Sequence, residues 1–129
     1  MKIIRVFSGA DGESHFEDVT AEEMTSIVNR LGDGDITLGL RPSPSFSDYH
    51  NAPRRQYVVN LSGTAEFECA DGSKVQMEPG DILVADDLEG HGHLARRLGD
   101  TPPAALALTP ADHRQTLPHT FKPHTNRDT

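Results

Sequence analysis

Hydrophobic and polar residues alternate in short stretches along most of this chain. In the segments "MKIIRVFSG" at residues 1–9 and "TAEFECA" at residues 64–70, alternate residues form two different faces, which is typical of half-buried β-strands. Turn signals at Asp71-Gly72 and Pro79-Gly80 separate such segments. The same pattern predicts further strands within 35–43, 56–62, 73–80, 81–87, 89–98 and 102–110. Many short strands separated by turns predict an all-β sandwich or barrel.

Four other segments are less regular. Residues 9–16 are predicted to be turn-rich and residues 43–50 to form a loop. Residues 20–34 contain a capping-box pair, Thr20 and Glu23, and predict a short helix, with a strand over 24–28 as the alternative. After Pro110 the chain has little apolar periodicity, so we predict a barrel domain at 1–110 and a partly disordered tail at 111–129.

Composition excludes several classes of function. The 129-residue chain suits one domain, and its formal net charge of −8 leaves no basic stripe for nucleic acid or for an anionic membrane. A single cysteine, Cys69, excludes a disulfide and a thiolate zinc cluster, and predicts a small buried hydrophobe. Residues 1–7 are too short an apolar run for a signal peptide, and no stretch approaches the roughly 20 apolar residues of a membrane helix. We therefore expect a cytoplasmic protein.

Candidate chemistry is concentrated in "YHNAPRRQYVVNLSG", residues 49–63. Alternate residues of an extended chain face the same side. One face of this segment then carries His50, Arg54, Gln56, Val58 and Asn60. Because that face is too polar for a closed core, it predicts the lining of a cavity open to a small ligand. The opposite face carries Arg55, Tyr57, Val59 and Leu61, which we expect to pack against a sheet, a helix or another subunit, with Arg55 solvated or at an interface.

The spacing within residues 50–93 resembles the two sequence motifs of the cupin superfamily. In the first, G-x5-H-x-H-x3/4-E-x6-G, His50 takes the first histidine, Ala52 the second and Gln56 the glutamate. In the second, G-x5-P-x-G-x2-H, counting from Gly80 places His91 at the histidine, with His93 two residues further on.

The segments "GESHFED", "HNAPRRQYVVNLSG" and "PGDILVADDLEGHGH" are similar to elements of uncharacterised bacterial single-domain cupins, in which the last histidine corresponds to His93. The resemblance implies an all-β, jelly-roll-like double-sheet barrel with an N-terminal strand, and no agreed activity. It also implies a homodimer, since cupin-like domains commonly pair through strands and the outward face of 55–61 is apolar.

Two functions from different classes follow. In the first, His50, His91 and His93 hold one divalent ion (Fe, Zn, Ni or Mn), with Gln56 as a fourth or outer ligand, in a dioxygenase, isomerase or lyase. In the second, the cavity holds no metal and binds or senses a small carboxylate, which the replacement of the second histidine and the glutamate favours. A third, metal-free hypothesis makes His50 a catalytic base.

The ligand predicted by either function is a small organic anion. Arg54, Asn60 and His15 are the candidate substrate-binding residues, His15 reaching the barrel mouth from the N-terminal segment. An inward Arg54 requires either an anionic ligand or an internal acid. The candidate acids are Asp86, Asp87 and Glu89.

Overall fold

The computed structural model describes residues 1–42, 44–113 and 122–124. Strands dominate these ranges, and one helix follows the second strand. The elements are β1 (Ile3–Ser8), β2 (Ser14–Asp18), α1 (Ala21–Val28), β3 (Asp35–Leu40), β4 (Ser45–His50), β5 (Gln56–Ser62), β6 (Thr64–Glu68), β7 (Lys74–Met77), β8 (Ile82–Asp86), β9 (His93–Leu98), β10 (Ala104–Thr109) and β11 (Lys122–Pro123).

The strands form two sheets. A seven-stranded sheet has the order β11-β2-β1-β8-β5-β10-β3, and a four-stranded sheet has the order β4-β9-β6-β7. The pair β1–β8 is parallel and the other pairs are antiparallel. The predicted all-β barrel of two sheets, the architecture that the cupin resemblance implies, is confirmed.

Alternate side chains of the strands point to opposite faces of the sheets, so the protein has two hydrophobic clusters, one between the sheets and one on the outer face of the large sheet. Between the sheets, Ile4 and Val6 of β1 pack with Val75, Met77 and other buried residues of both sheets. On the outer face of the large sheet, the buried residues Met24 and Ile27 of α1 pack with residues that include Ile3, Tyr57 and Val84. The helix therefore seals the outer face of β1, β8 and β5, and leaves the inner face to the cavity.

The structure settles the open alternative at residues 20–34 in favour of a helix. The Thr20 hydroxyl accepts from the Glu23 N–H at 3.0 Å, and the Glu23 carboxylate accepts from the Thr20 N–H at 2.8 Å. Cys69 is fully buried, as predicted. Within the described ranges, no helix combines the length and the hydropathy needed to cross a bilayer.

Two segments that were expected to lack strands contain them. Residues 43–50 were predicted to be a loop, but 45–50 form β4, which pairs with β9. Residues 9–16 were predicted to be turn-rich, but β2 begins at Ser14 and pairs with β1. In both cases cross-strand pairing supplies the stability that a mostly polar segment does not show in its own sequence.

The prediction of a solvated or interfacial Arg55 is wrong. Arg55 is 2% exposed, its Nη2 donates to the Asp112 carboxylate at 2.6 Å, and its N–H donates to the His113 carbonyl at 2.8 Å. Residues 112–113 therefore cover the outward face that carries Arg55. Of the predicted tail, residues 114–121 and 125–129 lie outside the described residues, while β11 pairs with β2.

Candidate ligand-binding cavity

The two sheets enclose a cavity of about 500 Å³. Its walls come from both sheets and from the loop between β4 and β5. Along β9, His93 pairs with His50 and Arg97 pairs with Ser45, so the two histidines and Arg97 line different parts of the cavity. The lining includes His50, Arg54, Gln56, Val58, Asn60, His93, Arg41, Arg97, Phe67 and Met77.

The face predicted for residues 50–60 lines this cavity. Gln56, Val58 and Asn60 of β5 all contribute to the wall. Two of these polar groups are already engaged: Gln56 Nε2 donates to Thr109 Oγ1 at 3.3 Å, and Asn60 Nδ2 donates to the carbonyls of Gly63 and Met77 at 2.9 and 3.1 Å. The Asn60 amide hydrogens thus secure the backbone, which leaves them poorly placed to bind a ligand.

His93, the first residue of β9, is held in one orientation from behind. Its Nδ1 lies 2.6 Å from Asp87 Oδ2, and the Ser14 hydroxyl donates to the same oxygen at 2.7 Å. Asp87 and Ser14 are both almost fully buried. Because the carboxylate accepts from Nδ1–H, the neutral form of the His93 ring has its lone pair at Nε2.

The two ring nitrogens of His50 have the same roles as those of His93. The Nδ1 of His50 lies 2.7 Å from the Asp48 carbonyl oxygen, which can only accept, so this ring also leaves Nε2 as the acceptor. The ring centroids of His50 and His93 are 4.8 Å apart. Among the described residues, neither Nε2 meets a hydrogen-bond partner. Two basic imidazole nitrogens therefore remain for a ligand.

His91 does not join them, and the three-histidine site predicted from the sequence is wrong. Its Nδ1 contacts Glu13 at 3.0 Å and its ring stacks on Tyr49 at 4.2 Å, in an exposed position outside the cavity. The expectation assumed an extended chain from His91 to His93. Gly92 breaks that alternation with φ +83°, and the strand begins only at His93.

His15 also lies elsewhere, contrary to the prediction that it reaches the barrel mouth. Ser14 points inward to Asp87, so the next residue of β2 points outward. His15 contacts the Asp11 carboxylate at 2.9 Å and the ring of Phe7, with centroids 5.9 Å apart. It lines a separate depression of about 320 Å³ on the outside of the barrel.

Arg54 lines the cavity as predicted, but the proposed internal acids are engaged elsewhere. Asp86 accepts from Arg5, and Asp87 accepts from Ser14 and His93. Glu89 is exposed and does not line the cavity, and its backbone N–H and carbonyl both bond the Ser8 hydroxyl. Among the described residues, no carboxylate forms an ion pair with Arg54.

The donors that line the cavity do not fit a three-histidine metal centre. His50 and His93 each offer one Nε2, and Gln56 adds at most a neutral amide oxygen. In the part of the chain that the structure describes, no three His, Cys, Asp or Glu side chains come together as ligands. Two imidazoles and one amide oxygen would leave the remaining coordination positions of a divalent ion to water or to a ligand.

Three residues that shape the site, Ser14, Arg41 and Arg97, were not predicted from the sequence, and Asp87 was predicted only as a partner for Arg54. Asp87 and Ser14 orient His93, and Arg41 and Arg97 bring positive charge to the cavity. One signal was available: in "HLARRL" the alternation of β9 puts His93 and Arg97 on the same face. The pairing of Asp87 with Ser14 joins residues 73 positions apart, which no local pattern reveals.

Comparison with known proteins gives distant similarities. No protein-family model matches the chain. It is 28% identical over 118 residues to alpha-mannosidase 2x of Mus musculus, a match that covers 85% of this chain and 10% of that protein. This chain thus spans about a tenth of the length of the curated relative that it matches.

Two solved structures are similar in arrangement. A predicted oxalate decarboxylase from Thermotoga maritima matches with a TM-score of 0.47 and 18% identity, covering 84% of this chain and 92% of that one. The DMSP lyase DddQ from Ruegeria pomeroyi matches with a TM-score of 0.47 and 20% identity, covering 78% of this chain and 54% of that one.

Proposed function

We propose that this protein is a single-domain cupin that binds a small organic anion in the cavity between its sheets. The observation that supports this most strongly is the charge of the lining. Arg41, Arg54 and Arg97 contribute positive charge to the cavity wall, and no Asp or Glu is among the described residues that line it. Cations gathered in a partly buried space favour an anionic ligand.

The two histidines complete this proposal at one end of the cavity. Arg54 lines the same cavity from the connection between β4 and β5, and its guanidinium can pair with a carboxylate in bidentate geometry. The open Nε2 atoms of His50 and His93 accept hydrogen bonds from a hydroxyl or a protonated oxygen of the ligand. A hydroxy acid or keto acid in its hydrate form offers both groups.

The experiment is a thermal-shift titration of the wild type and three variants with small carboxylates. Arg54→Ala and His50→Ala should lose most of the stabilisation by ligand, because each removes a group that contacts it. Lys74→Ala, which removes an exposed cation outside the cavity, should retain the full shift. Equal shifts in all four proteins would contradict a cavity site.

A second candidate function is a metal centre with two histidines, supported by one specific observation. Asp87 and the Asp48 carbonyl hold the two rings with both Nε2 atoms unengaged, which is the arrangement that metal-binding histidines commonly have. Gln56 is the third candidate ligand. Elemental analysis of protein purified without a histidine tag tests it: near one ion per chain in the wild type, and loss of that ion in His93→Ala, would support the metal centre over simple anion binding.

We also propose that two copies associate through the outer face of β3. Ile36, Leu38 and Leu40 are 65, 60 and 72% exposed and lie in a row on the edge strand of the large sheet. The face of 55–61 from which a dimer was expected is partly covered, since Tyr57 packs against α1 residues. Light scattering after size-exclusion chromatography should give the mass of a dimer for the wild type and of a monomer for Leu38→Glu.

A further inference from the structure

A second cluster of positive charge lies away from His93 in the cavity, and the proposed function assigns no ligand group to it. Arg97 lies four residues after His93 on β9, so the two side chains share a face and their Cα atoms lie about 13 Å apart at the rise of a strand. Arg41 follows β3 on the other sheet and lines the same cavity. The two sheets therefore each contribute a guanidinium to this cluster.

Arg5, Arg55 and Arg96 form ion pairs with acidic residues. Arg41 and Arg97 differ from them in this respect. Arg96, the neighbour of Arg97, faces outward and donates to Glu66 and Glu68 at 3.2 and 2.7 Å. Arg97 has no carboxylate within ion-pair distance among the described residues, and its Nη1 reaches only the Ser47 hydroxyl at 3.4 Å. No ion pair involves Arg41 within the same residues. Burial and the charge of Arg41 lower the pKa of Arg97, as expected when like charges approach in a partly desolvated space.

The cavity has an apolar side chain between the histidines and Arg97, since Phe67 pairs with Ala95, midway between His93 and Arg97 on β9. Its walls include Val58, Ala65, Phe67, Met77, Leu83 and Ala105. A ligand that reaches both the histidines and Arg97 must therefore pass a hydrocarbon-like surface, which favours methylene groups over hydroxyls.

We propose that Arg41 and Arg97 form a second anion subsite, and that the ligand is an elongated organic acid with an apolar chain. One acidic group lies between the two guanidinium groups. The chain lies along Val58 and Phe67, and the other polar end meets Arg54 and the two histidines. This inference rests on the proposed function, because it names the class of anion that the same cavity takes.

The test is a series of α,ω-dicarboxylates of increasing chain length, from succinate through adipate and suberate to sebacate, with hexanoate and octanoate as single-acid controls. Affinity for the wild type, measured by calorimetry, should rise with chain length to an optimum and exceed that of the single acids. Arg97→Met and Arg41→Met should each weaken the best dicarboxylate by about tenfold or more, since each loses a charge-assisted hydrogen bond. Arg96→Met, on the opposite face of the same strand, is the matched control and should bind as the wild type does.

A second readout does not depend on the natural ligand. Inorganic phosphate should raise the melting temperature of the wild type more than that of Arg97→Met, because the wild type has two facing cations to neutralise. Circular dichroism of each variant establishes that it is folded before binding is compared.

The outcomes separate this inference from the proposed function. If carboxylates bind and depend on Arg54 and His50, but affinity is flat with chain length and unchanged in Arg97→Met, the second subsite is overturned and the proposed function stands. If neither single nor double carboxylates bind the wild type, both are overturned.

Discussion

Removal of the Arg5 guanidinium should destabilise the protein far more than removal of a typical surface charge. Arg5 is 6% exposed, and it donates to Glu17 at 2.7 Å and to Asp86 at 2.9 and 2.6 Å. Asp86 is fully buried and Glu17 nearly so. In Arg5→Met the apolar stem is kept, but both carboxylates lose this cation. Breaking a buried ion pair in this way costs about 3–5 kcal/mol, a large part of the 5–15 kcal/mol typical of a whole domain.

Urea denaturation followed by circular dichroism measures this loss, and a domain of this size should also melt about 10–20 °C lower. Arg96→Met is the matched control: its guanidinium also meets two carboxylates, but its side chain is 33% exposed, so the cost should be about 0–1 kcal/mol. Replacing Arg5, Glu17 and Asp86 together with neutral residues should recover most of the lost stability, because none of these three charges is then left buried without a partner. A loss below about 1 kcal/mol in Arg5→Met would refute the reasoning, since it would mean that the buried carboxylates do not need this cation.

Three further predictions concern single positions. Gly92→Ala should lower the free energy of unfolding in urea by more than about 2 kcal/mol, because φ is +83° and an added Cβ would overlap the His50 carbonyl oxygen. Gly72→Ala is the control: φ is +89° but the space around it is open, so it should cost only the conformational penalty of about 1 kcal/mol. Burial raises the pKa of the Cys69 thiol to about 12, so iodoacetamide at pH 8 should leave it unmodified in the native protein and alkylate it in urea; rapid labelling of the folded protein would contradict its burial. The side-chain and backbone hydrogen bonds that Asp71 accepts from Ser73 lower the pKa of Asp71 in the folded state. The contribution of Asp71 to stability is therefore present above the ordinary carboxyl pKa and lost as the pH falls through the lowered value. Asp71→Asn should lack that part of the dependence of stability on acid pH, and identical acid profiles of the two proteins would contradict this prediction.

The sequence predicted the fold better than the site, and the reason is physical. Alternation of side chains is local, so "QYVVNLS" and "TAEFECA" identified β5 and β6 and the cavity-facing side of β5. Strand β4 was missed because its six residues owe their conformation to pairing with β9, which is distant in the chain. His91 was misplaced because a spacing of two residues defines a common face only in extended chain, and Gly92 is not extended.

Charge at the site could not be predicted from composition, which points the opposite way. The chain has 20 acidic and 12 basic residues, yet the described lining of the cavity contains arginines and histidines and no acid. The acids near the cavity face away from it or are already hydrogen-bonded. Glu66 and Glu68 face outward and pair with Arg96, and the Asp87 carboxylate accepts from Nδ1 of His93. Because strand alternation decides which side each charge faces, an acidic protein can hold a cationic interior. Arg97 owes its inward position to alternation along β9, whereas Arg41 and Arg54 lie in the connections that follow β3 and β4. The positive charge at the site therefore depends on both strands and connections, and the ligand that it favours has the same sign of charge as the protein as a whole.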